Sequence, residues 1–135
     1  MTATSRDLIR QSALTLFDQN GIAATSVAQI RAHAGVSNGS FFHAFKTRDA
    51  LCADLFLISL RHYHAALLDD LPASAPDGIA ALLHAHLNWV ATSGAEGRFL
   101  FEHSNAEWLG HIRAEQETEN AKLARHIETW RTPLI

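Results

Sequence analysis

Between Ser26 and Phe45 the chain reads SVAQIRAHAGVSNGSFFHAF. Apolar residues recur at helical spacing on both sides of a break only three residues long, Gly35-Val36-Ser37. Two short helices joined so tightly around a glycine must cross at a steep angle. The second begins with small polar residues, Ser37-Asn38-Gly39-Ser40, and continues with Phe41, Phe42 and Phe45. A helix built only for packing needs no such polar front, so this front is expected to touch something outside the protein.

The same periodicity runs through almost the whole chain, with no strand-like alternation and no internal repeat. Leu8, Ile9, Ala13, Leu16 and Phe17 define one face of a first helix over about Ser5 to Gln19, closed by Asn20-Gly21. Thr25 reads as the N-cap of a second helix, with Val27, Ile30 and Ala34 on its apolar face and Gly35 as its stop. Ser37 reads as the N-cap of a third, Asn38 to about Phe45. Val36 is expected to join a small core of Leu16, Phe17, Val27, Ile30, Phe41 and Phe45. A longer helix follows from Thr47 or Arg48 to about Asp69, with Leu51, Leu55, Ile58 and His62 at helical spacing. DDLPASAPDG, Asp69 to Gly78, is a linker. Ile79, Leu82, Leu83, His86, Leu87 and Val90 stripe a fifth helix, Ile79 to Thr92; a short apolar element covers Arg98 to about His103. A last helix spans about Glu107 to Trp130, polar all round in RAEQETENAK and apolar again at Leu123, Ile127 and Trp130; Pro133 stops it.

The expected fold is therefore all-α. The 135 residues suffice for one compact unit, or a small domain with a helical extension, and 47% of them are hydrophobic, enough for a substantial core. A single cysteine, Cys52, excludes an internal disulfide and reads as an idle thiol in a reducing compartment. MTATSRDLIRQS lacks the apolar run of a signal peptide, and no stretch reaches the roughly 18 apolar residues of a membrane span. The expectation is a soluble, cytoplasmic protein. The formal net charge of -3 does not suggest a nucleic-acid binder, but its distribution is uneven: residues 1–50 carry +2 and residues 51–135 carry -5. A mildly basic front on an acidic remainder suits a small module that faces a polyanion.

A helix entering the DNA major groove needs leading side chains short enough for the backbone to approach and polar enough to bond phosphates or base edges. Its free N–H groups and positive dipole end favour phosphate. Ser37, Asn38, Gly39 and Ser40 meet that description. Thr25 stands where it could touch a phosphate as well as cap its helix, and Lys46 lies just past the third helix, placed to pair with the strand electrostatically. Short helix pairs with glycine turns also occur in helical proteins that bind no DNA, so the pattern alone leaves both readings open.

The stretch ALTLFDQNGIAATSVAQIRAHAGVSNGSFFHAFKTRDAL, Ala13 to Leu51, resembles the DNA-binding domain of the TetR/AcrR family of bacterial transcriptional regulators. The matching residues are Leu16-Phe17, Gly21, Thr25-Ser26-Val27, Ile30, Ala34-Gly35-Val36-Ser37, Gly39, Phe41-Phe42, Phe45-Lys46 and Leu51, without a gap. The resemblance implies a helix-turn-helix domain over residues 4–61, with the helix-turn-helix at about 25–45. A long helix would join it to a helical effector-binding and dimerisation bundle, 62–135. It implies DNA contacts from Thr25, Ser37, Asn38, Gly39, Ser40, Phe42, His43 and Lys46, with Asn38 and His43 as base readers. Phe42 stands where the family usually has a tyrosine whose hydroxyl reaches a phosphate. Ala44 stands where histidine is common. Arg31 stands where alanine is common, as a phosphate contact or a solvated side chain.

The function so implied is sequence-specific DNA binding that regulates transcription, as a repressor released from a palindromic operator by a small-molecule effector, acting as a homodimer. The effector pocket would draw on His62, His86, Trp89, Phe99, His103 and Trp108, although aromatics at such spacing also serve as core. Family members usually continue into two further helices that form a four-helix bundle across the dimer. This sequence stops at TWRTPLI, so the bundle reads as shortened, unless Leu123, Ile127 and Trp130 take over the interface. A competing reading is a shortened interaction module that pairs with a full-length regulator without binding DNA. No cofactor, metal or membrane partner is expected. His62/His64 and His84/His86 are spaced i, i+2, about 200° apart around a helix, and cannot chelate one ion from one face. No arrangement of nucleophile and base or of paired carboxylates is legible, and an enzyme is not expected.

Overall fold

The computed structural model describes residues 3–69 and 75–128, and every regular element within them is helical. The order is α1 (Ser5–Asn20), α2 (Val27–Ala34), α3 (Asn38–Ala44), α4 (Arg48–Leu68), α5 (Ala75–Thr92) and α6 (Ala95–Glu102). A 3-10 turn, Glu107–Ile112, then runs directly into α7 (Arg113–Glu128). The all-α expectation holds.

Local chemistry sets most boundaries. Thr4 and Asp7 form a capping box at the start of α1: Asp7 N donates to Thr4 Oγ1 at 3.1 Å and Thr4 N to Asp7 Oδ2 at 3.3 Å. Gly21, at φ 83°, ends α1 in a conformation that other residues avoid. Thr47 caps α4, its Oγ1 accepting from Ala50 N at 3.0 Å.

α4 is the centre of the molecule. Leu51, Cys52, Leu55, Phe56, Leu57 and Leu60 are all buried, covering more than one face. That fits its neighbours: α1, α5, α6, α7 and the 3-10 turn all pack on it. Around the short helices the core is the expected one, with Phe17, Ile30, Phe41 and Phe45 buried and Leu16, Val27 and Val36 against them. Cys52 is fully buried; desolvation, with Asp49 adding to it, pushes its thiol up to about 12, so it stays protonated at neutral pH.

Three expectations change. α5 starts at Ala75, four residues before Ile79, because Pro76 in a first turn lacks only an N–H that has no helical partner there. The final helix is broken into the 3-10 turn and α7; Trp130 and Pro133 lie outside the described residues. The stripe on α5 does not face the core along its length: Ile79, Leu83, Leu87 and Val90 are exposed.

α4 and α7 meet at a polar cluster. Glu119 is buried and accepts from Arg61 Nε at 3.1 Å and Lys122 Nζ at 3.2 Å. Burial pushes its carboxyl up, but these two partners outweigh it and hold the group below its ordinary value. His64 is buried beside it and its Nδ1 makes no hydrogen bond. Desolvation depresses the His64 imidazole below 6.5, against an upward pull from Glu119. A histidine depressed in the folded state is protonated first in the unfolded chain. Its contribution is therefore complete above pH 6.5 and is lost as pH falls through 6.5 toward the folded value. Thermal unfolding of wild type is expected to come earlier as pH drops below 6.5, and His64→Leu should flatten that dependence. An unaltered pH profile in the variant would remove His64 as its source.

Candidate nucleic-acid interface

The interface is built from α2, α3 and the start of α1. Ser26, not Thr25, caps α2. Gln29 N donates to Ser26 Oγ at 3.1 Å and Ser26 N to Gln29 Oε1 at 2.7 Å, a reciprocal box. Gly35 closes α2 in the left-handed region, φ 71° and ψ 33°, its N–H donating to Arg31 O at 2.9 Å. Two residues later Ser37 opens α3, accepting from Ser40 N at 3.0 Å. The left-handed glycine followed at once by a cap gives the tight turn that the sequence suggested.

α3 is amphipathic in the required sense. Phe41 is fully buried and Phe45 nearly so, while Ser37, Asn38, Gly39 and His43 are exposed and Ser40 is half-buried. Phe42 is 38% exposed and meets the Phe41 ring edge-on, centroids 5.1 Å apart. Lys46 is exposed beyond the helix end. Thr25 departs from expectation: it is 1% exposed and its hydroxyl donates to Gly21 O at 2.8 Å. Its side chain is thus engaged inside the fold, and Ser26 is the exposed hydroxyl at that corner.

The cations of the front half are mostly committed to holding this arrangement. Arg6 donates to Ala44 O at 2.6 Å, at the end of α3, and to Asp54 Oδ1 on α4 at 3.1 Å, with its guanidinium 4.3 Å over the Phe45 ring. Arg10 reaches the other Asp54 oxygen at 2.6 Å and Asp7 at 3.2 Å. Arg48 donates to the carbonyls of Ile22 (3.2 Å) and Thr25 (3.1 Å), fixing the loop before α2. Arg31 is half-buried with Nε out of solvent and unpartnered. Lys46, by contrast, makes no hydrogen bond or ion pair with any described residue. The sum of charges in residues 1–50 therefore overstates what is available to a polyanion. Arg6 escaped sequence reasoning because its partners are 38 and 48 residues away. So did Thr4 and Ser5, which share a groove of about 300 Å³ with Ser40 and His43.

The six residues expected around an effector do not share one cavity. His62 pairs with Glu96 at 2.8 Å in a cleft between α1, α4 and α6. Phe99 stacks between Phe17 (6.1 Å) and Trp108 (5.9 Å), with His103 against both Phe99 and Trp108, so these are packing residues. Trp89 is buried against Tyr63, 5.0 Å between centroids. Trp108 also lines a groove of about 380 Å³ with Glu107 and His111, and His86 faces an apolar groove, about 450 Å³, where α4, α5 and α7 meet. Its Nδ1 shares a 2.7 Å hydrogen bond with Tyr63 Oη, and Leu67, Leu82 and Leu123 line the walls. Among the described residues no three histidine, cysteine or acidic side chains gather as a metal site, and no helix is long and apolar enough to cross a membrane.

Residues 9–55 match the family described as bacterial regulatory proteins, tetR family. A 53-residue stretch, 39% of this chain, is 36% identical to the HTH-type transcriptional repressor KstR2 of Mycolicibacterium smegmatis (strain ATCC 700084 / mc(2)155). That match takes in 26% of the repressor's own length. A tetR family transcription regulator from Shewanella sp. PV-4 has the same fold, with TM-score 0.84 and 23% identity over 97% of this chain and 72% of that one. A regulatory protein in the tetR family from Rhodococcus RHA1 gives 0.77 and 25% over 98% and 72%.

Proposed function

We propose that the chain, whose residues 9–55 match the tetR family of bacterial regulatory proteins, is a sequence-specific DNA-binding regulator of transcription. We read it as a repressor that a small-molecule effector releases from a palindromic operator. The observation that carries the reading is α3: Asn38, Gly39 and His43 exposed, Phe41 and Phe45 buried, and Lys46 unengaged beside them.

In this reading α3 lies in the major groove. Asn38 and His43 meet base edges, asparagine being able to pair bidentately with adenine. Ser26, Ser37, Ser40 and Lys46 hold phosphates; Ser26 takes the place first given to Thr25, whose hydroxyl is turned inward. Phe42 packs against the strand without the phosphate bond a tyrosine would add. One seven-residue helix makes few base contacts, so two copies reading half-sites about 34 Å apart are part of the proposal.

The effector site we propose is the groove at Tyr63 and His86. Its volume suits a small ligand, its walls suit an apolar one, and the hydrogen-bonded pair gives a single polar handle. α4 links this site to α3: Tyr63 lies about 13 Å along the helix from Asp54, which Arg6 ties to the end of α3. An effector that fits one placement of α4 better than the other releases DNA by that difference in affinity. Repression is the activity stated for the Mycolicibacterium relative.

The test is binding to the DNA upstream of its own gene across a salt series. Lys46→Ala is expected to weaken binding to every sequence alike and to lower the slope of log K against log salt by about one. An unchanged affinity and slope would rule out the proposed contact surface.

A further inference from the structure

A cavity of about 460 Å³ opens between α1, α4 and α6, where the N-terminal helices meet the bundle. Its floor is apolar: Leu14 from α1, and Leu55 and Ile58 from α4. It lies on a different face of α4 from the groove at Tyr63 and His86, and the two share no lining residue. Its walls are held in place. Arg98 of α6 grips Asp18 of α1 with two hydrogen bonds, 2.8 and 2.9 Å, and Phe17 stacks on Phe99 at 6.1 Å. A preformed concavity of this size, apolar with a few polar groups at its ends, has the composition of a small-molecule site.

The polar groups at its two ends differ in kind. At the α4–α6 end, Glu96 Oε2 accepts from His62 Nδ1 at 2.8 Å and from Ser59 Oγ at 3.5 Å. A carboxylate can only accept, so Nδ1 carries the hydrogen, and in the neutral ring Nε2 is left as an acceptor. Glu96 Oε1 has no partner among the described residues. This end therefore offers two unspent acceptors. On α1, Arg10 spends Nε on Asp54 and Nη1 on Asp7, which leaves Nη2. The exposed Gln11 amide has no partner among the described residues. That end offers donors. The lining carries Asp7 and Glu96 against Arg10 alone, and Asp54 behind Arg10 is matched by Arg6 at 3.1 Å, so the cavity is net acidic.

We propose that this cavity binds a small amphipathic amine, with its ammonium at Glu96 and His62, its apolar body over Leu14, Leu55 and Ile58, and a hydrogen-bond acceptor at Gln11. A carboxylic acid suits neither end, because Arg10 already carries two carboxylates and the lining is net acidic. A hydrocarbon without a donor would strip water from Glu96 and put nothing in its place, which is costly for a charge. An ammonium supplies the missing donors. From Leu55 to His62 the floor runs about 10 Å along α4, the length of a phenyl ring with a four-carbon amine tail. The site is additional to the groove at Tyr63 and His86 and does not rest on the reading of the protein as a DNA-binding regulator.

Isothermal titration calorimetry of the full chain with 4-phenylbutylamine, 4-phenylbutanol and 4-phenylbutanoate, in the absence of DNA, decides it. The amine is expected to bind with a dissociation constant on the order of 0.1–1 mM, and the alcohol and the acid at least about 10-fold more weakly. Glu96→Gln keeps the shape of the side chain and an acceptor for His62; it should retain wild-type helical circular dichroism and weaken the amine by at least about 10-fold. His86→Ala, in the other groove, should leave amine binding unchanged. Equal binding of the three compounds, no detectable heat with the amine, or a loss in His86→Ala and not in Glu96→Gln overturns the proposal. If Glu96→Gln alters the dichroism, Leu14→Trp, which fills the cavity from a half-buried position, is read in its place, and amine binding that survives it overturns the proposal equally.

Discussion

Gly39→Leu is expected to leave the protein folded and to lose at least about 100-fold in affinity for its DNA site, close to 3 kcal/mol. The argument turns on what the glycine is for. Its backbone is helical and exposed, and an added Cβ would meet only Ser37 Oγ, at an ordinary 3.9 Å. Nothing inside the protein requires the missing side chain. Glycine in a helix costs up to about 1 kcal/mol relative to alanine, so the free protein should be no less stable with leucine there. On the proposed reading the glycine lets a DNA surface approach the α3 backbone closely. Thermal unfolding and fluorescence anisotropy on the same variants separate the two effects. Gly39→Ala should bind with an intermediate loss. If Gly39→Leu bound as tightly as wild type, the front of α3 would not lie against DNA.

What could be read from the sequence was local. Asn20-Gly21, Gly35 and Ser37 announce their helix ends because the capping chemistry acts within a few residues. The i, i+2 spacing of His62 and His64 already implied opposite faces; the His62 side chain is 59% exposed and His64 is buried. The misassignment of the cap to Thr25 was avoidable: Ser26-x-x-Gln29 is the box signature, and two good cap residues stood side by side. Other features depend on residues far along the chain. An exposed arginine and a clamp such as Arg6 look alike until Ala44 and Asp54 are placed beside it. Likewise the α5 stripe announces burial, but not whether its own chain or another covers it. The residues expected around an effector are spread over separate clefts and packing contacts for a related reason. Aromatic residues at helical spacing fill whatever gap the neighbouring helices leave, and here Phe99 and Trp108 fill the space against α1 and α4.

Phe41→Ala should destabilise the protein by about 3–5 kcal/mol, whereas Phe42→Ala, one residue on, should cost under about 1 kcal/mol. Phe41 has no exposed surface, and its ring lies between Phe42 at 5.1 Å and Phe45 at 6.3 Å. Removing it opens a cavity in the small core shared with Phe17, Ile30 and Leu51. Phe42 is 38% exposed and gives up little burial. The larger loss is a sizeable fraction of the 5–15 kcal/mol typical of a domain, and should lower the unfolding midpoint by on the order of 10 °C or more. It should also act locally. A helix of seven residues is not stable alone in water, so α3 is held by its buried ring pair, by the Ser37 cap and by Arg6 at its far end. Amide hydrogens of α3 should exchange faster in Phe41→Ala than those of α4 or α7, and DNA affinity should fall even where the variant is mostly folded. Phe42→Ala should keep wild-type exchange and show its defect only in DNA binding, where an exposed ring against the strand is lost. Equal stability losses in the two variants would mean that α3 is not seated on Phe41, and its outward face would then lack the fixed geometry that groove recognition requires.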